Sequence, residues 1–427
     1  MNAKGYASIP GALCYWITFL TKALPLRSIG TFIELLMGAM LTPNGFVTEA
    51  YMLLEMKNHW TSYYKWLQRG RWSWLGLGRQ FVRLLLHVRG ERVWHLVIDD
   101  TLTLRASKKA PSSAIHHQHG NKPNLASYVR GQCWVSLAAV LSRDNGDAVA
   151  LPLLSRLIPG AGNTGKLMAA NTLIRAVYRL FSGKQVRVLV DSWYMRRVFI
   201  QAMGKRGFHV IGQARKDTRL YDEPKQSKIK RRGRPRAYGE KVTAKRVAHF
   251  PKKEAALKVY GQTQTVRYRS RVVKARFLEG QTVLAVWCEL KDKHDQWRPA
   301  ALLLSTDVEL TPEQVIESYG LRWSVEPMFH QLKNAWGLKQ AWQQTRQTLN
   351  RWVQITQVGY GLLQLLTLEQ ADACRVLCDQ TPWRKEKHVT AGRLRAGLVR
   401  HFRHVNVRRW WNKTCKKFEP PSALQVC

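Results

Sequence analysis

Two hydrophobic runs, Val93 to Ile98 and Val186 to Val190, each stop abruptly at aspartate: Asp99 and Asp100 after the first, Asp191 after the second. Their length and content of Val, Leu and Ile predict short buried strands. An acid at the carboxyl end of such a strand is poorly explained by packing. In open sheets that edge is where binding and catalytic groups collect. These two boundaries therefore constrain both the fold and the position of any site.

The intervening segments agree with a sheet. Gln132 to Leu141 and Ala148 to Leu154 read as further strands, Gly165 to Phe181 and Met195 to Lys205 as helices, and Phe208 to Ala214 as a strand. Three strands, a helix, then alternating strand and helix predict an α/β chain with a ribonuclease-H-like mixed sheet. Beta alternation returns at Thr265 to Val273 and Thr282 to Glu289, so a β-rich insertion interrupts the sheet. Helical regions are expected at both ends. The predicted division is residues 1–90, a helical DNA-binding region; 91–215, the first part of the catalytic domain; 216–306, a basic loop and β-rich insertion; 307–370, the second part with a Glu-bearing helix; and 371–427, a basic C-terminal region.

Charge narrows the partner. The 427 residues carry 69 Lys and Arg against 28 Asp and Glu, a formal net charge of +41, with 45% hydrophobic residues. That apolar share excludes global disorder, and the excess charge favours a polyanion such as nucleic acid over a membrane surface. The most apolar N-terminal stretch, Gly11 to Leu26, is interrupted by Lys22 and has no cleavage pattern, so neither a signal peptide nor a span is expected. A cytoplasmic, nucleoid-associated protein follows. Seven scattered cysteines without paired C-x-x-C spacing predict reduced thiols, Cys374 and Cys378 having no second pair nearby for zinc.

Thr311, Pro312 and Gln314 form a capping-box-like helix start. Along the helix they open, Tyr319, Arg322, Glu326 and Lys333 fall within an arc of about 60° at 100° per residue. One face then offers a carboxylate flanked by two cations and a phenol, suited to a metal beside phosphate oxygens. A salt-bridged helix face, with Arg322 and Glu326 as an ordinary i, i+4 pair, explains the same pattern. The three carboxylates together shift the balance. Two Mg²⁺ ions about 3.5–4 Å apart need several hard oxygen ligands, and carboxylates from two strand ends and a helix supply them.

These residues carry a resemblance. Tyr319-x-x-Arg322-x-x-x-Glu326-x-x-x-x-x-x-Lys333 resembles the Y-R-E-K signature of DDE transposases in the cut-and-paste insertion-sequence group of the family numbered four. Asp99-Asp100-Thr101 is similar to that family's first-aspartate strand, and Asp191-Ser192 to its second; 92 residues separate Asp99 from Asp191, and 135 separate Asp191 from Glu326. By this resemblance, which covers roughly residues 90 to 370, Asp99, Asp191 and Glu326 would be the ligands of Mg²⁺, or of Mn²⁺ in its place. Tyr319, Arg322 and Lys333 would hold the phosphates of the DNA end. Asp100 stands as the alternative to Asp99. The implied partners are double-stranded DNA, as transposon ends and target, and a second copy of the chain in the DNA complex. The implied activity is metal-dependent endonuclease cleavage and strand transfer. Alternatives are a ribonuclease-H-like nuclease that cuts without joining, and a DNA-binding protein with a dead site.

Pro327 departs from a regular helix and should kink the chain just after Glu326, or shorten the helix. Trp287 and Trp297 are candidates to stack a flipped base. Arg232, Arg234 and Arg236, around Gly233 and Pro235, match an AT-hook core that lays arginines into a narrow minor groove. Gly160-x-x-x-x-Gly165-Lys166 copies most of a phosphate-binding loop, but Leu167 stands where the Mg²⁺-binding hydroxyl belongs, so a Gly-rich loop capping a helix is expected. His116, His117 and His119 read as a solvated or DNA-facing loop.

Overall fold

The computed structural model describes residues 9–117, 126–143, 146–160, 163–224, 236–378 and 389–421. Arg232, Arg234 and His119 lie outside the described residues. The chain opens with α1 (Gly11–Thr21), α2 (Ile29–Leu41), α3 (Val47–Leu53), α4 (Trp60–Arg69) and α5 (Trp74–Val88). It then runs through β1 (Val93–Leu104), β2 (Ala114–His117), β3 (Tyr128–Ser142), β4 (Ala148–Leu157), α6 (Asn163–Val177), β5 (Gln185–Val190), α7 (Arg197–Gly204) and β6 (His209–Ala214). Next come β7 (Leu220–Tyr221), α8 (Ala244–Ala248), β8 (Lys253–Val259), β9 (Gln262–Ala275), β10 (Gln281–Leu290) and β11 (Ala301–Ser305). The last part holds α9 (Pro312–Leu321), α10 (Val325–Asn334), α11 (Arg346–Glu369), α12 (Ala371–Cys374), α13 (Ala391–Phe402) and the short pair β12 (Trp411–Asn412) and β13 (Lys417–Phe418).

The sheet order is β2-β3-β1-β5-β6-β11-β10-β9-β7, with β4 also on β3 and β8 also on β9. Its centre is the ribonuclease-H-like arrangement: β4, β3 and β1 run antiparallel, and β5 and β6 pair in parallel beyond β1. Central strands covered on both faces read as continuous apolar runs, and Leu96, Val97 and Ile98 in β1 and Val188, Leu189 and Val190 in β5 are all buried. The β-rich segment adds to this same sheet, because β11 pairs antiparallel with β6 on one side and with β10 on the other.

Helix α11 holds the molecule together. Nearly all of its turns are buried, which marks a helix covered on every side. Gly359 and Gly361 let neighbours approach closely: a methyl group at either would come within 2.9 Å of Met40 or 2.6 Å of Phe81. Its polar side chains are spent on backbone. Arg351 donates to the carbonyls of Leu67 and Gly70 at 2.8 and 2.7 Å and of Trp72 at 2.5 Å, while Gln354 donates to Leu153 in β4. These bonds tie the N-terminal helices to the sheet, although Oε1 of Gln354 and of Gln357 are buried without a partner. One continuous core includes residues from α1 to β13.

Two expectations about local structure are corrected. Strand β1 does not end at Asp99; it continues to Leu104, pairing with β3 throughout, from His95↔Val140 to Leu104↔Gly131. Only its pairing with β5 stops, at Ile98↔Val190. His116 and His117 lie on strand β2, paired with Val129 and Tyr128, rather than in a loop. A four-residue edge strand bounded by polar residues leaves too short an alternation to be seen in the sequence.

Candidate active site

Where β1 and β5 part company, Asp99 and Asp191 occupy the next register position beyond Ile98↔Val190. Neighbouring strands are about 4.8 Å apart, so two carboxylates face a single opening in the sheet. Asp191 turns the chain there: its Oδ1 accepts the backbone N–H of Trp193 at 3.0 Å and of Tyr194 at 3.2 Å. Asp99 is approached from the other side of the chain by Arg322, whose Nη1 lies 3.1 Å from Oδ2.

Arg322 reaches Asp99 because the expected single helix is broken. The capping box at Thr311 and Gln314 is present and starts α9, but Arg322–Ser324 form a 3-10 turn and α10 begins anew at Val325. Pro327 supplies the reason. It has no N–H for the carbonyl of Trp323 and its ring crowds that carbonyl, so the regular ladder is interrupted one turn before the proline rather than after Glu326. Proline at the third position of α10 is then tolerated, as in any first helical turn. The four signature residues consequently do not share one continuous helix face. Tyr319 is buried and its hydroxyl donates to Gln213 Oε1 at 3.3 Å; Arg322 turns to Asp99; Glu326 is exposed in the first turn of α10; Lys333 is half-buried in its last.

The electrostatics describe a pair of acids short of counter-charge. Burial pushes Asp99 up to about 8, with the charges of Asp191 and Asp100 adding to it and Arg322 only partly offsetting them. Burial also raises Asp191, Asp100 contributing in the same direction against two backbone donors and Arg322. Burial works against the charge on Arg322, but Tyr319, Asp99, Asp191 and Glu326 outweigh it and hold the guanidinium above its ordinary value. Its Nε is buried without a partner, an orphaned donor beside the two carboxylates.

Asp100 points into a different set of partners, as alternation along a strand requires. Its Oδ2 lies 2.8 Å from Lys166 Nζ and accepts the Cys133 thiol at 3.4 Å, and its Oδ1 accepts the Tyr194 hydroxyl at 3.1 Å. Lys166 in turn sits 5.0 Å from the centre of the Trp193 ring. Burial opposes its charge, yet Asp100 holds it above its usual range. Sequence reasoning missed Lys166, Tyr194, Cys133 and Trp193. Lys166 had a signal, the incomplete phosphate-loop motif, but that motif pointed to the wrong chemistry; the other three had none.

Other expected site residues lie elsewhere. Arg236 is exposed, two residues before Tyr238, whose ring centre lies 5.0 Å from that of Tyr221 in β7. Trp287 packs edge-on to Phe250, and Trp297 is stacked under Arg267 with the guanidinium 4.1 Å from the ring centre. Among the described residues no group of three or more His, Cys, Asp or Glu side chains is close enough together to hold a metal ion. The expected three-carboxylate cluster is thus not assembled: Asp99 and Asp191 come together with Arg322 against Asp99, while Glu326 is exposed at the start of α10. The donor chemistry nonetheless fits a hard divalent cation: two half-buried carboxylates whose protonation burial favours and whose charge a cation would offset, with oxygen ligands only.

The family model for the DDE superfamily endonuclease matches residues 31–274. The chain belongs to that family. It is a family of metal-dependent nucleases that act on DNA, and the matched segment contains Asp99, Asp100, Asp191 and Lys166 while ending before Glu326. Among curated proteins no relative matches the sequence. No helix among the described residues is long and apolar enough to cross a membrane.

Proposed function

We propose that this DDE endonuclease is a cut-and-paste DNA transposase, which binds the inverted repeats at the ends of its element, cleaves them and joins the freed ends to a target. The observation that carries the reading is the juxtaposition of Asp99 and Asp191 at the parting of β1 and β5, with Arg322, from the segment that also bears Glu326, set against them. Asp99 rather than Asp100 is the first ligand of the reading, because Asp100 is already neutralised by Lys166 and hydrogen-bonded by Tyr194 and Cys133.

Asp99 and Asp191 would hold Mg²⁺, with Glu326 joining from α10; Mn²⁺ would serve in its place. When bound, the ions activate the attacking oxygen and neutralise charge on the leaving one. The chain's own groups do the rest. Arg322 orients Asp99 and offers an unpaired Nε to a phosphate oxygen, a charge-assisted contact of the kind that guanidinium makes well. Tyr319, stacked near Arg322 with its ring centre 5.8 Å away, fixes that side chain's direction. Lys333, about 10 Å further along α10 from Glu326 at 1.5 Å per residue, would meet the next phosphate. Water acts first and the liberated 3′-hydroxyl second, so positioning and charge neutralisation suffice and no covalent intermediate with the protein is needed. Two copies of the chain, one for each end, would make the joining complex, in the cytoplasm at the nucleoid.

The test uses the inverted repeats that flank the reading frame. Purified protein, paired end fragments, a target plasmid and Mg²⁺ should yield joined products, and Asp191→Asn should abolish them with DNA binding retained. Nicks without joining would leave a plain nuclease. Unchanged activity in Glu326→Gln would remove that residue from the site and with it the transposase reading.

A further inference from the structure

Directly beyond Asp191 the surface opens into a groove of about 470 Å³ between the turn after β5, the start of α7, the loop from β6 to β7, and the turn after β9. Arg196, Arg197, Arg215, Arg219, Arg276 and Phe277 line it. All five arginines are exposed. Two acids offset part of this charge: Asp217 binds Arg215 at 3.1 Å, and Glu279 at the rim binds Arg197 at 2.5 Å. Arg219 and Arg276 are held side by side, the backbone N–H of Arg276 donating to the carbonyl of Arg219 at 3.1 Å. Five cations against two anions in one concavity make a site for a polyanion rather than an internal ion-pair network.

We infer that this groove binds an unpaired strand of DNA where it leaves the cleavage centre. Two features favour a single strand over a duplex. Half-buried Phe277 and Met195 on its wall supply apolar surface for bases, the pairing of cationic track and aromatic platform that unpaired strands use. And the groove adjoins Ser192, the residue after Asp191, so a strand in it is continuous with one whose phosphate lies between Asp99 and Asp191. The inference rests on the proposed strand-cutting role of that pair for its biological meaning, but its binding chemistry is tested separately.

The experiment measures anisotropy of a fluorescent oligo-dT and of a duplex of equal length, titrated with full-length protein in EDTA over a range of salt concentrations. Wild type is compared with the double variant Arg219→Gln/Arg276→Gln and with Arg219→Lys/Arg276→Lys; unfolding midpoints confirm that these exposed substitutions leave the fold intact. The glutamine pair should weaken oligo-dT binding about tenfold and flatten its log–log salt dependence by about 1.4, the contribution of two phosphate contacts on a single strand. The lysine pair should restore the salt slope, and duplex affinity should change less than about twofold. Equal losses on duplex and single strand, or no loss on the single strand, would overturn the inference. If Mg²⁺-dependent nicking is absent from wild type while the selective loss is seen, the groove stands and the cutting centre does not.

Discussion

Asp99 is a carboxyl whose folded environment favours its proton. Unfolded, it titrates near 4; folded and free of metal, it is pushed up to about 8. Between those values the folded state binds more protons than the unfolded state, so stability contributed at Asp99 falls as pH rises through this window. Asp99→Asn removes the dependence. In EDTA, the unfolding free energy of wild type relative to Asp99→Asn should therefore decline from pH 4 to pH 8, by on the order of 2–5 kcal/mol, and millimolar Mg²⁺ at pH 8 should recover much of it. Parallel curves for the two proteins would show that Asp99 is not strained by its neighbours. Lys166 and Asp100 make the complementary case. With side chains only 16% and 19% exposed, removing one partner strands the other. Lys166→Met should cost about 1–3 kcal/mol, and Lys166→Met/Asp100→Asn should recover part of that loss. A double-mutant cycle by urea unfolding measures it; additive losses would mean the pair is not coupled.

At the scale of elements, the break between α9 and α10 is what aims Arg322. Tyr319, Arg322, Glu326 and Lys333 could be singled out in the sequence, and the capping box and the proline that interrupts the helix were legible there. Their geometry was not, because a constant 100° per residue holds only along an unbroken helix, and Pro327 changes the rotation between Tyr319 and Glu326. Pro327→Ala restores the missing donor and removes the crowding, so α9 and α10 should join into a longer helix. Helical circular dichroism should rise slightly and the unfolding midpoint hold or increase. Nicking of end DNA should fall at least tenfold, because Arg322 swings away from Asp99 by a fraction of a turn, and misplacement of about 1 Å can cost a hundredfold. Full activity with the longer helix would show that the break has no catalytic purpose. The strands were easier to foresee than this helix. Period-2 and continuous apolar runs located β1, β3 to β6, β9 and β10, whereas β2 was too short to register.

For the whole molecule, the buried polar groups of α11 decide how the parts are assembled. Arg351 satisfies three carbonyls at the end of α4 and the turn before α5, and Glu34, fully buried, takes the Tyr63 hydroxyl, the Lys57 N–H and Arg408 from the C-terminal segment. Arg351→Met preserves length but removes the buried donor from the carbonyls of Leu67 and Trp72, Gly70 keeping the Trp72 N–H. It should destabilise the protein by about 2–4 kcal/mol, and urea unfolding followed by tryptophan fluorescence and circular dichroism should separate into two transitions as the N-terminal helices loosen first. A single unshifted transition would mean that apolar packing alone unites the helices with the sheet. The net charge of +41 also belongs to this scale. It determines that DNA binding weakens steeply with salt, while saying nothing of which surface the DNA touches.

The sequence by itself determined the class of the fold, the apolar runs of β1 and β5 that lead into Asp99 and Asp191, the capped helix that follows the β-rich segment and the polyanionic partner, since each of these is written in local periodicity, spacing or total charge. Tertiary structure alone decided that Asp99 turns to Arg322 while Asp100 turns to Lys166, that the β-rich segment extends the central sheet, and that five arginines from three separate segments line one groove beside Asp191. The physical reason is the same in each case. Which face a strand residue presents, and which distant side chain meets it there, depends on register and packing between elements, and those energies are not carried by any short stretch of chain.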